Sequence, residues 1–506
     1  MLEITLNRHL VGGLRLAANK TASTAGPIVR GFVPPRLVLA MHQHAGNAAE
    51  PVVAVGQRVA KGELVGKPGP SPSAAVHASS SGTVTAIEER LVPTGTGLHA
   101  SLCVVVETDG EDRAATVAEA GWPADRAAQL ERIAQGGLAG LGGAVFPTAA
   151  KLAAAGSSRA VIVNGAECEP YISCDDLLMR EAPEQIVAGA LLLADLTSAS
   201  ECIIAIERDK PKALEAVGAA ARVSGDPRLR LAGVPTVYPA GGERQLIQLL
   251  TGEEVPSGRY PNAIGYVCHN VGTAYALARL AMHAEPLVSR IVTVTGGGVG
   301  HRQNLEVPIG TPIADLIERC GGYRNEVVRL IHGGSMMGYA LPNDGVPVTK
   351  ATSCVIAATA VEIRQSADEW ACIRCGDCAN VCPARLLPQE IYFAALARDF
   401  GGLADLGLDD CIECGCCDVA CPSHISLTEH FRVAKHETAL HERRLALSEA
   451  AERRHASRER RLEALESKVR EAQEDLRSAV RGDEHRQEAI RAAVERARQR
   501  RREGSK

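Results

Sequence analysis

Cys372-Ile-Arg-Cys375-Gly-Asp-Cys378-Ala-Asn-Val-Cys382-Pro383 and Cys411-Ile-Glu-Cys414-Gly-Cys416-Cys417-Asp-Val-Ala-Cys421-Pro422 decide the reading of this 506-residue chain. Both runs have the form C-x2-C-x2-C-x3-C-P, which wraps three thiolates around one [4Fe–4S] cube and sends the fourth to its neighbour. Nine of the 16 cysteines fall in this stretch, and the other seven are scattered singly without metal-ligand spacing. A tetrahedral zinc site needs less than two such runs. A disulfide framework needs an oxidising compartment, and the first residues carry no signal peptide that would suggest one. The spacing therefore predicts two [4Fe–4S] clusters with crossed ligation. Cys372, Cys375, Cys378 and Cys421 serve one cube, and Cys411, Cys414, Cys417 and Cys382 the other. Cys416 is left as a spare thiol near the second cube.

Working outward, the chain is long enough for several domains. Its hydrophobic content of 46% is ordinary, but aromatic residues make up only 3%, so its cores are built from Ala, Val, Leu and Ile. A net charge of −5 and a pI near 6.3 argue against a nucleic-acid binder. The longest apolar runs, such as Ile186–Leu196, fall short of the roughly 20 residues that cross a bilayer, so membrane attachment is expected only through a partner. Residues 32–110 read as short strands, among them Leu37–Leu39 and Pro51–Val55, punctuated by glycine. They resemble the lipoyl/biotinyl-type barrel-sandwich domain in their Val-x-x-Gly repeats and in Ser81-Gly82-Thr83-Val84. At the place of the modifiable lysine stands His77-Ala78-Ser79-Ser80, which implies a structural role.

Residues 125–285 alternate strand and helix patterns, as an α/β domain does. Val161–Asn164 and Glu201–Ile206 read as buried strands, and Glu184–Leu196 and Lys210–Ala221 as helices. Before the first strand lies Gly136-Gly137-Leu138-Ala139-Gly140-Leu141-Gly142-Gly143-Ala144-Val145-Phe146-Pro147-Thr148. Glycine at this density lets backbone N–H groups approach a phosphate or flavin, and Lys151 follows at a helix start, where an anion is favoured. Because the loop precedes a strand, it is not the dinucleotide fingerprint. Three further segments place polar side chains at strand ends, the ligand edge of an open α/β sheet. They are Asn164–Pro170, Tyr238–Arg244 after the β-like run Val234–Val237, and Asn270–Ala274. Asn and Thr suit flavin edges and phosphate oxygens, and Glu169 and Glu243 suit ribose or amide groups.

Residues 286–350 read as further strands with a helix over Ile313–Cys320, and they resemble a β-grasp domain of the SLBB type. The Gly333–Gly338 loop reads as packing within it. Pro388–Arg398 is helical between the cysteine runs. From Leu427 onward the pattern is helical and highly charged. Leu462, Leu465, Val469, Ala472, Leu476 and Ala479 fall at heptad a and d positions, in a short stripe that Gly482 and Asp483 interrupt. This extension reads as a solvated charged helix, with a partner helix or anionic surface as the alternative.

Taken together, residues 1–430 resemble the RnfC family, the C-type component of the ion-translocating Rnf-type electron transport complex. The α/β part is also similar to the 51 kDa NADH-oxidising subunit of respiratory complex I, whose G-x-G-G-A-G-F-P-T-x-x-K loop is matched from Gly140 to Lys151. The fold expected is multidomain, α/β plus β. An N-terminal segment and barrel-sandwich domain span 1–115, an FMN/NADH-binding α/β domain 116–285, and an SLBB β-grasp domain 286–364. A 2[4Fe–4S] ferredoxin-like module spans 365–430 and a charged helical extension 431–506.

The resemblance implies non-covalent FMN held by Gly140, Gly142, Gly143, Lys151, Asn164, Glu169, Asn270 and Thr273. NAD(H) would dock near Phe146, Tyr238 and Glu243, with Glu169 and Glu243 as orienting carboxylates and no catalytic acid, base or nucleophile. It implies integral membrane and other Rnf-type subunits as partners, ferredoxin or flavodoxin indirectly, and a peripheral place on the cytoplasmic face of the bacterial inner membrane. The chain departs from the complex I pattern at Leu141, Val145, Ala154, Ala166 and His269. A soluble FMN/iron–sulfur reductase, such as a cobalamin reductase, and a flavin-free electron-wire subunit are the competing readings.

Overall fold

The alternation of Val, Ile and Ala along Ala160–Gly165 is the pattern of a strand buried on both faces. In the computed structural model, which describes residues 2–4, 8–115, 121–363 and 368–503, this strand sits inside a five-stranded, all-parallel sheet. The spatial order is Leu2–Ile4, Leu229–Val234, Glu201–Glu207, Ala160–Gly165, Tyr266–Asn270. Val161 and Val163 face one core together with Ile204 and Leu193, whereas Ala160 and Ile162 face another with Ile203 and Leu246. Helices therefore cover both sides, as right-handed crossovers require. The N-terminal residues Leu2–Ile4 belong to this sheet as an edge strand, and so join the α/β body and not the barrel-sandwich.

The barrel-sandwich comprises a four-stranded sheet (Arg36–Ala40, Gly97–Thr108, Gly82–Thr94, Arg58–Val59) and a three-stranded one (Glu50–Pro51, Leu64–Lys67, Val76–His77). The run expected as a strand over Pro51–Val55 leaves the ladder after Pro51. Val52 and Val55 are 46% and 61% exposed, and of the three valines only Val53 packs on the core. In the β-grasp domain, strands run Gln303–Pro308, Ser289–Thr295, Cys354–Ala358, Arg329–His332, Tyr339–Ala340 across the sheet, with the helix Ile313–Arg319 against them. The central strand, Cys354–Ala358, is entirely buried.

The cysteine module holds four short helices, Asp377–Asn380, Pro388–Ala397, Phe400–Asp405 and Cys416–Ala420. Two compact units divide the chain, Met1–Arg432 and Val433–Lys506. The helix Leu427–Glu503 begins in the first and forms the second. It runs without a break through Gly482 and Asp483, so the interruption of the heptad stripe is one of side chains and not of backbone. Leu462, Leu465, Val469 and Leu476 are about half exposed or more. No helix among the described residues is long and apolar enough to cross a membrane. Two expected boundaries, at 116 and at 364–365, fall outside the described residues.

Two helices on one face of the parallel sheet, Pro183–Leu196 and Val271–His283, cross where Gly189 meets Ala274. A Cβ on Gly189 would lie 1.8 Å from the Ala274 carbonyl oxygen, which belongs to rigid backbone. Gly189→Ala should therefore lower stability by about 1–3 kcal/mol, the usual cost of overpacking, despite the better helix propensity of alanine. A denaturation midpoint equal to or above that of wild type contradicts this packing.

Candidate electron-transfer site

Parallel pairing brings the C-terminal ends of all strands to one edge of the sheet. Asn164 and Asn270 are register partners there, each the polar residue closing an apolar strand. Asn164 donates from Nδ2 to the Gly241 carbonyl at 2.8 Å and accepts the Ala166 N–H at 3.0 Å. Asn270 caps the helix Val271–His283 by accepting the Gly272 N–H at 2.8 Å, and its Nδ2 donates to Asp175 at 2.5 Å. One turn on, Thr273 Oγ1 accepts the Leu141 N–H at 3.0 Å and so ties the glycine-rich loop to the same edge.

That loop connects the helices Arg126–Gln135 and Thr148–Ala155. Its inner residues, Gly136–Ala139, Leu141 and Val145, are buried, whereas Gly142, Gly143, Ala144 and Phe146 are exposed. Gly143 has φ +107° and nothing within 4 Å of a hypothetical Cβ, so its outer side is open. Lys151 donates to Glu243 Oε1 at 2.7 Å and to the Cys268 carbonyl at 2.6 Å. Buried His269 stays neutral, its pKa driven well below 6.5 by burial and then by Lys151, and its Nε2 has no partner among the described residues. Exposed glycines, with Lys151 and the paired Asn164 and Asn270 at the same sheet edge, form a cradle whose chemistry fits the anionic end of a flavin nucleotide.

Gly140, Gly142, Gly143, Lys151, Asn164, Glu243, Asn270 and Thr273 thus gather at one edge. Glu169 and Tyr238 turn elsewhere. The Glu169 Oε1 accepts the N–H groups of Met336 and Met337 in the β-grasp loop, at 3.1 and 2.8 Å. Gly334 packs so tightly on it that a Cβ would lie 2.0 Å from Glu169 Cγ. The Gly333–Gly338 loop, read from sequence as packing within its own domain, therefore closes over this carboxylate.

Tyr238 does not follow a strand, because the strand ends at Val234 before Pro235, and it pairs instead with Leu14. It is only 3% exposed, and its hydroxyl donates to the Cys414 carbonyl at 2.7 Å. Tyr238, expected near a docked NADH, turns its ring and hydroxyl against the cysteine module. Phe146 remains open at 38% exposure. Sequence reading missed Asp175, the partner of Asn270. No local spacing signals it, because its contact is 95 residues away along the chain.

Burial sets the electrostatics. Asp175 is pushed up to about 7 by burial and by nearby Glu167. Glu169 also rises to about 7, because desolvation outweighs its two backbone donors.

The nine clustered cysteines sort into two cavities. Cys372, Cys375, Cys378 and Cys421 line one. Cys382, Cys411, Cys414 and Cys417 line another, together with Cys416. Each cavity draws three thiols from one run and one from the other, the donor set that cubane clusters require. Cys375 is exposed in the first set. In the second, Cys414 and Cys417 are buried, and Cys416 is fully buried against Tyr238 and Cys414.

A multidomain electron-transfer protein, with an FMN-binding domain joined to an iron–sulfur module, is the class this fold and site define. Family models match as the RnfC barrel sandwich hybrid domain over residues 8–111 and the Nuo51 FMN-binding domain over 133–279. An SLBB domain matches over 291–340 and a 4Fe-4S dicluster domain over 369–425. The RnfC component of the ion-translocating oxidoreductase complex of Pseudomonas aeruginosa is 45% identical over 89% of this chain and 58% of its own length. That of Cronobacter sakazakii is 40% identical over 96% of this chain and 62% of its own. That of Serratia proteamaculans is 38% identical over 96% of this chain and 69% of its own. The chain belongs to the RnfC family of ion-translocating oxidoreductase complex subunits, and it spans about three-fifths of the length of several of these relatives.

The raised Glu169 value has a measurable consequence. A folded pKa near 7 against an ordinary 4.5 means that the neutral carboxyl stabilises the fold below about pH 4.5. That contribution is lost as pH rises to about 7. Relative to Glu169→Gln, wild type should lose stability across this window by on the order of 3 kcal/mol in all. A difference between the two that stays flat from pH 4.5 to 7 contradicts the assignment.

Proposed function

We propose that this chain is the NADH-oxidising, or NAD-reducing, peripheral subunit of a membrane-bound ion-translocating oxidoreductase complex. Electrons pass between NAD(H), FMN and two [4Fe–4S] clusters, and partner subunits couple that flow to ion transport. One observation carries the reading: a cradle for an anionic ligand and two cavities, each lined by four motif thiols, occur in one compact unit, and Tyr238 bonds the wall of the second cavity.

On this reading Lys151 and the exposed turn Gly142–Ala144 hold the phosphate, with Gly140 giving the backbone room to turn. Asn164, Asn270 and Thr273 fix the loop and strand ends around the ring system, and Glu243 holds Lys151 in place. Phe146 borders the nicotinamide side. When bound, FMN supplies the exchange between two-electron hydride chemistry and one-electron transfer, and each cube carries one electron at a time.

The cavity of Cys382, Cys411, Cys414 and Cys417 is the nearer to the cradle by contact. Tyr238 bonds Cys414, the Gly13 N–H donates to Val381 at 2.9 Å, and Cys168 beside Gly241 packs into the same apolar cluster. The other cavity, with exposed Cys375 and neighbouring Trp370 and Ile373 at 71% and 67% exposure, faces outward and suits an exit toward a redox partner. Ferredoxin or flavodoxin would be reached through other subunits at the cytoplasmic face of the inner membrane.

Lys151→Ala should weaken FMN binding about tenfold or more, by loss of a charge-assisted contact, and leave iron content intact. Unchanged flavin affinity overturns the cradle assignment. Anaerobically prepared wild type should hold about eight irons per chain, four per cube. Cys378→Ser should damage the outward cube and lower electron output without releasing FMN. Full output from that variant argues against two clusters in series.

A further inference from the structure

Two basic side chains in the β-grasp domain are almost completely buried: Arg290 is 6% exposed and Lys350, whose pKa burial lowers to about 7, is 1% exposed. Neither has a carboxylate within ion-pair distance among the described residues. A buried, unpaired charge is costly unless its hydrogen-bonding capacity is well used. Both side chains donate to backbone carbonyls, and two of these, Gly137 and Leu141, lie in the glycine-rich loop. Lys350 Nζ donates to Gly137 at 2.7 Å and to Ala75 of the barrel-sandwich at 2.8 Å. The Arg290 guanidinium donates to Leu141 at 3.4 Å and to the Lys350 carbonyl. Arg290 is thereby tied to the backbone of Lys350, and the two side chains reach the loop at Leu141 and Gly137.

The loop itself needs restraint. Val145, where the similar complex I loop has glycine, sits at φ +48°, a conformation that a β-branched residue avoids. Such strain persists only when the surroundings over-determine it. Here Val145 packs against Ala139 and Ala351, the residue after Lys350, and its carbonyl accepts the Ala45 N–H at 3.0 Å. Gly137 has φ +70°, and a Cβ there would lie 2.5 Å from the Ala75 carbonyl, so the loop's back is pressed onto the barrel-sandwich. Only Gly142–Ala144 and Phe146 are left facing out.

We propose that Arg290 and Lys350 are positioning residues for the glycine-rich loop, gripping it at Leu141 and Gly137 from behind so that its outer turn is shaped before any flavin arrives. The inference rests on the FMN reading above for its ligand, but not for its geometry. It assigns the β-grasp domain and the barrel-sandwich a joint task, as the backing of a binding loop carried by the α/β domain.

Hydrogen exchange on the full chain with its clusters in place tests this. In flavin-free wild type the amides of Gly137, Leu138, Gly140 and Leu141 should already be protected, and FMN should add protection only at Gly142–Ala144. Exchange of the first group at unstructured rates until FMN is added overturns the proposal. In Arg290→Met and Lys350→Met, loop exchange should accelerate and FMN affinity, read by fluorescence titration, should fall about tenfold or more. Exchange in the strand Ala160–Gly165 and iron content should match wild type. FMN affinity equal to wild type in both variants overturns the proposal. A general rise in exchange across that strand, without preference for the loop, reduces the two side chains to fold stability and also overturns it. If either variant fails to fold, Arg290→Lys and Lys350→Gln are read by the same loop exchange and FMN affinity, with the same outcomes for and against. Failure of wild type to bind FMN at any concentration sinks the flavin reading, and the loop amides still report on the grip.

Discussion

The parallel register of the central sheet is the constraint on which the rest depends. Because Ala160–Gly165 pairs in parallel with Glu201–Glu207 and Tyr266–Asn270, every apolar strand delivers its polar terminus to the same edge. Asn164 and Asn270 meet there, and Lys151 reaches the carbonyl of Cys268 on the last of these strands. An antiparallel partner would send half of these groups to the opposite edge. Burial on both faces holds that register, since a slip by one residue would exchange Val161 and Val163 for Ala160 and Ile162 in the two cores.

Around that edge the other domains act as supports. The β-grasp domain contributes Met336 and Met337 N–H groups to Glu169, and Arg290 and Lys350 to the loop. The N-terminal stretch contributes Leu14 beside Tyr238 and Lys20 beside Glu167. The cysteine module contributes the Cys414 carbonyl to Tyr238. Cys416, which the repeating motif leaves without a role, is fully buried in the wall between Tyr238 and the inner thiol cavity.

Local patterns were legible in the sequence and long-range ones were not. The two cysteine runs, the strands Val161–Asn164 and Glu201–Ile206 and the helix after Pro183 could be read because spacing and period express them directly. Crossed sharing of the fourth cysteine was also expected from the motif, and the two cavities sort the thiols in the same way. Tyr238 could not be placed, because its partners lie at Leu14 and Cys414, far along the chain on either side. The burial of Lys350 and Arg290 could not be read, since a basic side chain held against carbonyls leaves no period in the sequence. The run after Val234 misled, because β-branched residues there continue past Pro235, which cannot extend the ladder.

Flavin and clusters in one polypeptide are useful only if they form one conducting chain, and that can be measured. Anaerobically purified protein, reconstituted with FMN and iron–sulfur clusters, can be titrated with NADH while flavin absorbance and cluster electron paramagnetic resonance are followed together. Flavin should bleach on NADH addition, with reduced-cluster signals growing in the same titration. Protein that carries zinc in the cysteine cavities and binds no flavin, or clusters that stay oxidised while the flavin is fully reduced by NADH, would contradict a conducting chain.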